Sequence, residues 1–192
     1  MSYQLGYAEV LQALFSPCDP LSFLLIPGAL AGVPLLTFYL LKRGGELRRR
    51  WWVLLVITGI LAAVTLGCGW PMAGSGWQFT DGELKLWAWP VSTTLAVGET
   101  QVALVEGSSP WRPVRRTNGY GTPGLCTGWC RLANGEKAVV FRHLRPEKMV
   151  VLETGGDYYI LRHPGVERLY EALIREGAKR WEINAPEGKG DG

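Results

Sequence analysis

The sequence predicts two N-terminal transmembrane α-helices followed by a mainly-β barrel domain with one C-terminal capping helix. Three observations predict this fold class. Two long runs near the start of the 192-residue chain contain no charged side chain. Short strand-like runs separated by turn signals fill the middle of the chain. One run with helical apolar spacing follows near the C-terminus.

The two uncharged runs extend from Leu21 to Leu41 and from Trp51 to Trp77. Each exceeds the roughly 20 residues that an α-helix needs to cross about 30 Å of hydrocarbon. A cleaved signal peptide does not fit the first run, because no basic segment precedes it and the apolar stretch is too long. We therefore predict a transmembrane hairpin over 21–72, with spans of approximately 21–41 and 51–71.

Charge in the loop 42–50 predicts the orientation of the hairpin. The basic residues of this loop are Lys42, Arg43, Arg48, Arg49 and Arg50, against the single acid Glu46. Segment 1–20 contains no Lys or Arg. The positive-inside rule places the loop in the cytoplasm and both the N-terminus and the C-terminal domain outside a cell membrane. Because this loop accounts for the positive net charge of the chain, we expect no nucleic-acid partner.

Residues 1–20 allow two interpretations. Leu5, Ala8, Leu11 and Phe15 recur at helical spacing, and a Pro-containing break follows them. The segment is either an amphipathic helix on the outer membrane surface or a flexible terminus. An ordered segment could also pack on a partner subunit.

Residues 73–180 predict an extracytoplasmic β domain. The strand-like runs are 76–80, 83–89, 93–97, 101–106, 129–133, 136–141, 148–154 and 158–162. Asn134-Gly135 predicts a hairpin between two of them, and the polar, Pro/Gly-rich segment 107–124 predicts a connection. After Pro164, five apolar residues recur on one helical face as far as Ile174. Residues 181–192 are polar and predict a flexible tail.

Two stretches of this domain resemble a known family. They are GYGTPGLCTGWCRLANGEKAVVF, beginning at Gly119, and MVVLETGGDYYILRHPGVERLYEAL, beginning at Met149. Their glycine-rich strand start, NG hairpin, strand pair and Pro-initiated helix resemble the bacterial pleckstrin-homology-like (PH-like) domains of small membrane-anchored proteins. The resemblance covers about the last 110 residues. The resemblance implies a PH-like barrel and assigns no catalytic residue to this chain.

The four cysteines suggest two disulfides. An extracytoplasmic location permits a Cys126–Cys130 bond. Residues i and i+4 of a continuous strand lie about 13 Å apart, beyond the roughly 7 Å limit for bridged Cα atoms, so this bond requires a bend at Gly128. Otherwise the two cysteines are packed thiols on one strand. Cys18 and Cys68 fall at the same predicted membrane depth, which suggests a bond between the helix ends.

The segment WRPVRR offers a candidate anion- or lipid-binding loop. Arg112, Arg115 and Arg116 lie beside Trp111, and guanidinium groups pair well with phosphate or carboxylate. The alternative is a solvated loop whose charges pair with Glu83, Glu99 or Glu106.

Metal binding and catalysis have no support in the sequence. The two histidines, His143 and His163, do not combine with the cysteines in a zinc-ligand spacing. No nucleophile motif, paired catalytic carboxylates or phosphate-binding glycine loop is present. We therefore expect no metal, no cofactor and no enzyme activity.

The sequence favours a bacterial, non-catalytic integral membrane protein that presents a binding or scaffold domain. Small residues in the first apolar run indicate packing with other membrane helices, so we expect membrane lipids, other integral membrane proteins or a second copy as partners. The alternatives are a lipid- or anion-sensing protein that uses the arginine loop and a membrane-bound enzyme.

Overall fold

Four α-helices form where the sequence is apolar or amphipathic. The computed structural model describes residues 1–14, 16, 20–122 and 124–183. The helices are α1 (Tyr7–Leu14), α2 (Pro20–Arg43), α3 (Leu47–Gly69) and α4 (Val166–Arg175). Gly165, which has a left-handed φ of 77°, precedes α4. Gly177, with a φ of 97°, follows it, so glycine bounds the helix on both sides.

The described strands form two sheets. They are β1 (Ser2–Gln4), β2 (Gly76–Thr80), β3 (Glu83–Ala88), β4 (Val91–Ala96), β5 (Gln101–Glu106), β6 (Pro113–Gly121), β7 (Leu125–Leu132), β8 (Lys137–His143), β9 (Lys148–Thr154), β10 (Asp157–Arg162) and β11 (Lys179–Arg180). The small sheet has the order β1-β2-β3-β4, and the large sheet has the order β11-β5-β9-β10-β8-β7-β6. In the large sheet β8 and β10 are parallel, whereas β7–β8 and β9–β10 are antiparallel hairpins.

The main core lies between the two sheets and α4. Alternate residues of β3, Leu84, Leu86 and Ala88, are fully buried, as the sequence alternation predicts. They share one apolar cluster with Phe141 of β8 and with Leu169 of α4. Burial of such side chains contributes about 1.5–3 kcal/mol each, so this layer supplies most of the apolar stabilisation of the domain.

A second apolar cluster covers the opposite face of the large sheet. It contains Ala138 and Val140 of β8 and is closed by three aromatic rings. The centroid of the Trp111 ring lies 5.1 Å from that of Tyr158 and 4.9 Å from that of Trp181. The segment predicted as a flexible tail therefore begins with a packed residue, because Trp181 also donates its backbone N–H to Val102.

Helices α2 and α3 form a hairpin with an exposed apolar surface. Large apolar side chains on both helices are exposed to solvent: Val33, Leu35, Leu36, Phe38, Tyr39, Leu40, Trp51, Trp52, Leu55, Val56, Ile60, Val64 and Leu66. Both ends of the hairpin return to one domain, since β1 pairs with β2 in the register Ser2↔Gln78 and Gln4↔Gly76. The Tyr7 hydroxyl of α1 also donates to the Leu66 carbonyl of α3.

The predicted fold class is wrong. The described chain has four α-helices and two sheets, of four and seven strands, where the sequence predicted two transmembrane helices and one barrel with a single helix. Among the described residues, only the helix over Leu47–Met72 is long and apolar enough to cross a membrane. The single-barrel prediction failed because the chain closes its core with a separate small sheet, whose first strand lies before the hairpin in sequence.

A polar clamp, formed by Tyr3, Trp77, His143 and His163, joins the two sheets. Trp77 Nε1 donates to His163 Nε2 over 2.8 Å, and His163 Nδ1 lies 3.0 Å from the Pro164 carbonyl oxygen. The Tyr3 ring stacks on His163 at 4.0 Å, and its hydroxyl lies 2.6 Å from His143 Nδ1. Burial lowers the pKa of both histidines below the usual range, whereas burial and the Glu9 charge raise the pKa of Tyr3 to about 12. The clamp is therefore neutral at pH 7.

We expect the free energy of unfolding to fall as the pH decreases from about 6.5. The unfolded chain binds a proton on each histidine near pH 6.5, while the folded chain does so only at lower pH, so the unfolded state holds more protons in this window. His163→Phe keeps a ring against Tyr3 but leaves the buried Trp77 N–H without an acceptor. It should lower stability at pH 7 by about 1–3 kcal/mol and make the pH dependence shallower. Denaturant unfolding of the detergent-solubilised chain measures the free energy of unfolding and its pH dependence. An unchanged pH dependence in His163→Phe would contradict the assignment of this dependence to His163.

Candidate functional site

The three arginines predicted as one anion site do not converge. Arg112 precedes β6, and its guanidinium donates to the Ser108 carbonyl over 3.1 Å. Arg115 and Arg116 are consecutive residues of β6, where successive side chains point to opposite faces of a sheet. Trp111 is buried in the second apolar cluster. The predicted loop is thus an edge strand, which distributes its cations between two faces.

Arg115 instead belongs to a row of three cations across three strands. In register it lies opposite Arg131 of β7, which lies opposite Lys137 of β8. All three side chains are exposed. Directly opposed like charges destabilise a sheet by about 0.2–1 kcal/mol per pair. We call Arg115, Arg131 and Lys137 the basic row.

The basic row has no carboxylate partner within the part of the chain that the structure describes. The one ion pair found there joins Arg50 and Glu46 at the far end of the hairpin, at 3.0 Å. The alternative that Glu83, Glu99 or Glu106 neutralises the predicted arginines is therefore not realised. Three unneutralised cations in register form an electrostatic environment that favours an anion carrying more than one negative charge.

A shallow cleft of about 370 Å³ adjoins the basic row. It is lined by Thr117, Asn118, Trp129 and Lys137. Asn118 lies opposite Trp129 in the sheet, so an amide and an indole form the next row along the strands. The Thr117 hydroxyl donates to the Trp129 carbonyl over 3.1 Å, which holds the irregular middle of β6 against β7. The cleft thus offers an aromatic face and an amide next to cationic side chains.

Cys126 and Cys130 lie on the opposite face of β7. Their Sγ atoms are 3.9 Å apart, and both thiols are buried and unbonded. Gly128 between them has no side chain and adopts a φ of 100°. Opposite it, Gly119 has a φ of 123°, and a Cβ on Gly128 would lie 2.5 Å from the Asn118 carbonyl oxygen. The bend that the sequence required at Gly128 is therefore present and brings the two sulfurs into contact.

Two arginines flank the thiol pair. Arg142 is the register partner of Cys126, and the Arg116 guanidinium lies over Gly121, the other register partner of Cys126. The hydrogen bond between the two thiols lowers the pKa of Cys126 below its usual range, against the opposing effect of burial, and both guanidinium charges add to this lowering. The same hydrogen bond and burial raise the pKa of Cys130. Cys126 is thus the thiol that ionises first.

The remaining predicted site residues lie elsewhere. Cys18 is outside the described residues, and the side chain of Cys68 is not described, so their predicted bond stays a prediction. The predicted topology determinants Lys42, Arg43, Arg48, Arg49 and Arg50 flank the α2–α3 turn. His143 and His163 belong to the polar clamp. Among the described residues, no group of three or more His, Cys, Asp or Glu side chains could hold a metal ion.

Comparison with known proteins adds no relative. No protein-family model, curated protein or solved structure matches this chain. The resemblance to bacterial PH-like domains therefore stays a prediction, and function must be argued from the molecule's own surfaces. Two of these surfaces, the apolar face of the hairpin and the basic row, lack a protein partner within the described chain.

We expect Arg131→Gln, at the centre of the basic row, to stabilise the protein. Removing the middle cation relieves repulsion with both neighbours and should raise the free energy of unfolding by about 0.2–1 kcal/mol at low salt. The gain should disappear in about 1 M salt, where charges are screened within roughly 3 Å. Arg145→Gln, an exposed arginine outside the row, is the control for net charge. Equal effects of the two substitutions would show that the row carries no local repulsion.

Proposed function

We propose that this chain is a membrane-anchored, non-catalytic binding protein whose apolar helix α3 holds the β domain at the membrane surface. One observation carries the proposal: after its basic first turn α3 is apolar, and almost none of this apolar stretch is buried within the protein. A core helix of a soluble protein would be covered by other elements. The contiguous apolar surface of the hairpin therefore requires either lipid or a partner of equal apolarity.

The length of α3 supports lipid as the partner. The backbone at Arg50 is non-helical (φ −119°, ψ 20°) and separates a basic first turn from the apolar helix. Exposed Trp51 and Trp52 begin the apolar helix, and Trp70, 75% exposed, follows it. Nineteen residues of helix span roughly 28 Å, close to the hydrocarbon thickness of a bilayer. Tryptophans at both ends match the preference of indole for the two membrane interfaces.

The charge distribution supports an extracytoplasmic domain. The basic residues at the α2–α3 turn lie at one end of α3, and the whole β domain lies at the other. The positive-inside rule then assigns the turn to the cytoplasm. The packing of α1 against the Gly69 end of α3 holds the domain at the end of α3 opposite the basic turn.

We expect Ile60→Asp to release the protein from membranes, whereas Val114→Asp should not. The two side chains have matched exposure, 58% and 55%, but Ile60 lies midway along α3 and Val114 lies on β6. A charge at the centre of a membrane helix costs about 2.5–3.5 kcal/mol, while a charge on a solvated strand costs little. The measurement is the fraction of full-length chain that stays in the pellet after an alkaline carbonate wash. Equal retention of both variants would refute the anchor.

A second candidate function, recognition of a polyanion, is favoured by the basic row and its cleft. Phosphate groups are suited to Arg and Lys, and the indole of Trp129 adds an apolar contact surface for the rest of a ligand. This candidate retains the predicted class of anion sensor, with Arg115 kept and with Arg131 and Lys137 in place of Arg112 and Arg116.

Binding of inorganic pyrophosphate tests the second candidate. The triple variant Arg115→Gln, Arg131→Gln, Lys137→Gln should bind at least about tenfold more weakly, corresponding to about 1.4 kcal/mol, in calorimetry of the full chain in mild detergent. The matched control removes the same charge elsewhere, through Arg145→Gln, Arg168→Gln and Arg175→Gln. A parallel arm with phosphatidylglycerol vesicles distinguishes a lipid headgroup from a soluble phosphate. Identical affinities of the two triple variants would eliminate the row as a site.

A further inference from the structure

We propose that Cys126 and Cys130 form a site of reversible thiol–disulfide exchange, with Cys126 as the attacking thiol and Cys130 as the resolving thiol. The site lies on the face of β7 opposite the basic row and does not depend on the membrane anchor or on anion binding.

The two sulfurs lie close together although both cysteines belong to the same strand, β7. Their Sγ atoms are 3.9 Å apart, so a disulfide of about 2.05 Å requires them to approach by about 2 Å. A Cβ on Gly128 would lie 2.8 Å from Gly119 Cα and 3.1 Å from Pro90 Cδ, and the φ of 100° at Gly128 is one that other residues rarely adopt. Gly119 opposite shares this conformation and receives Gly128 at close range. Two facing glycines in left-handed conformations make a local distortion that serves to place Cys126 against Cys130.

The two thiols are not equivalent. Cys126 is 9% exposed and Cys130 is 2% exposed, so a reagent reaches Cys126 first. Cys126 also lies beside β6, the edge strand of the large sheet, with the Arg116 guanidinium over its register partner Gly121. Arg116, the register partner of Cys130, and Arg142, the register partner of Cys126, place positive charge beside the pair, and this charge stabilises a thiolate there.

The exchange consumes one low-molecular-weight disulfide, RSSR. The Cys126 thiolate attacks one sulfur of RSSR, which forms a mixed disulfide and releases RS⁻. Cys130 then loses its proton to solvent and attacks Sγ of Cys126, which forms the Cys126–Cys130 bond and releases a second RS⁻. The protein pair loses two electrons and two protons, RSSR gains the two electrons, and the released thiolates take up two protons. A dithiol reductant reverses both steps.

The test uses the full chain with Cys18→Ser and Cys68→Ser, so that only the pair reacts. The folded protein in mild detergent is treated with glutathione disulfide, alkylated and analysed by peptide mass mapping. We expect the peptide that contains both cysteines to lose both free thiols together, to decrease in mass by about 2 Da and to retain no glutathione. Treatment with dithiothreitol should restore both free thiols and the original mass.

Single variants separate the two roles. Cys130→Ser should keep one glutathione on Cys126, because no resolving thiol is present. Cys126→Ser should leave Cys130 free, because this thiol is buried, with only 2% of its surface exposed. The same chain unfolded in denaturant, in which both thiols react, confirms that the reagent is active. The proposal is overturned if the folded pair stays reduced under these conditions, or if it gains two glutathiones with no internal bond.

Discussion

The pairing of β1 with β2 is the contact on which the rest of the structure depends. These strands are separated in sequence by the entire α2–α3 hairpin, and they pair in the register Ser2↔Gln78. Two further backbone bonds, from Leu5 N–H to the Ser75 carbonyl and from Gly74 N–H to the Leu5 carbonyl, extend the junction. Val10 and Leu11 of α1 then contact Gly69, where α3 ends. The segment before the hairpin and the segment after it are therefore one folding unit, which closes the small sheet and fixes the direction in which α3 leaves the domain.

Strand β7 connects this unit to both candidate sites. The two-residue period of a strand sends Arg131 and Trp129 to one face, and Cys130 and Cys126 to the other. Thr127, on the same face as Trp129, donates its hydroxyl to the Trp89 carbonyl and so joins the large sheet to the small one. Because β7 carries the central cation of the basic row, both thiols and this link, a substitution in β7 affects all three features. The two sites are nevertheless separate, since the backbone of the sheet lies between them.

The sequence predicts correctly those strands whose bounds depend only on short-range residue patterns. The bounds of β2, β5 and β9 agree with the sequence prediction, because alternation and flanking turn residues determine them. Strand β6 lies in the segment 107–124, which the sequence predicts to be a connection. An exposed edge strand rich in Arg, Asn and Gly has no apolar alternation that would mark it as a strand. The prediction of the fold class was wrong for a non-local reason. Neither the parallel pairing of β8 with β10 nor the second sheet produces a recognisable pattern in any short stretch of the sequence. The spatial grouping of the cationic side chains is likewise non-local. The sequence groups Arg115 with Arg116 because they are neighbours along the chain. Arg131 and Lys137 face each other only through the register that the Asn134-Gly135 turn sets. Arg115 joins them only because the segment that contains it is a strand.

The position of β1 also determines the order in which the molecule can be completed. Ribosomes make Ser2–Gln4 before both hairpin helices and make its partner Gly76–Thr80 only after them. For that interval β1 has no partner strand, and Leu5 and Val10, buried in the finished protein, have no core to enter. Contacts of this sequence separation form late because the chain between them must be ordered first. The small sheet therefore reaches its final four-stranded form only in a chain whose hairpin has already been made.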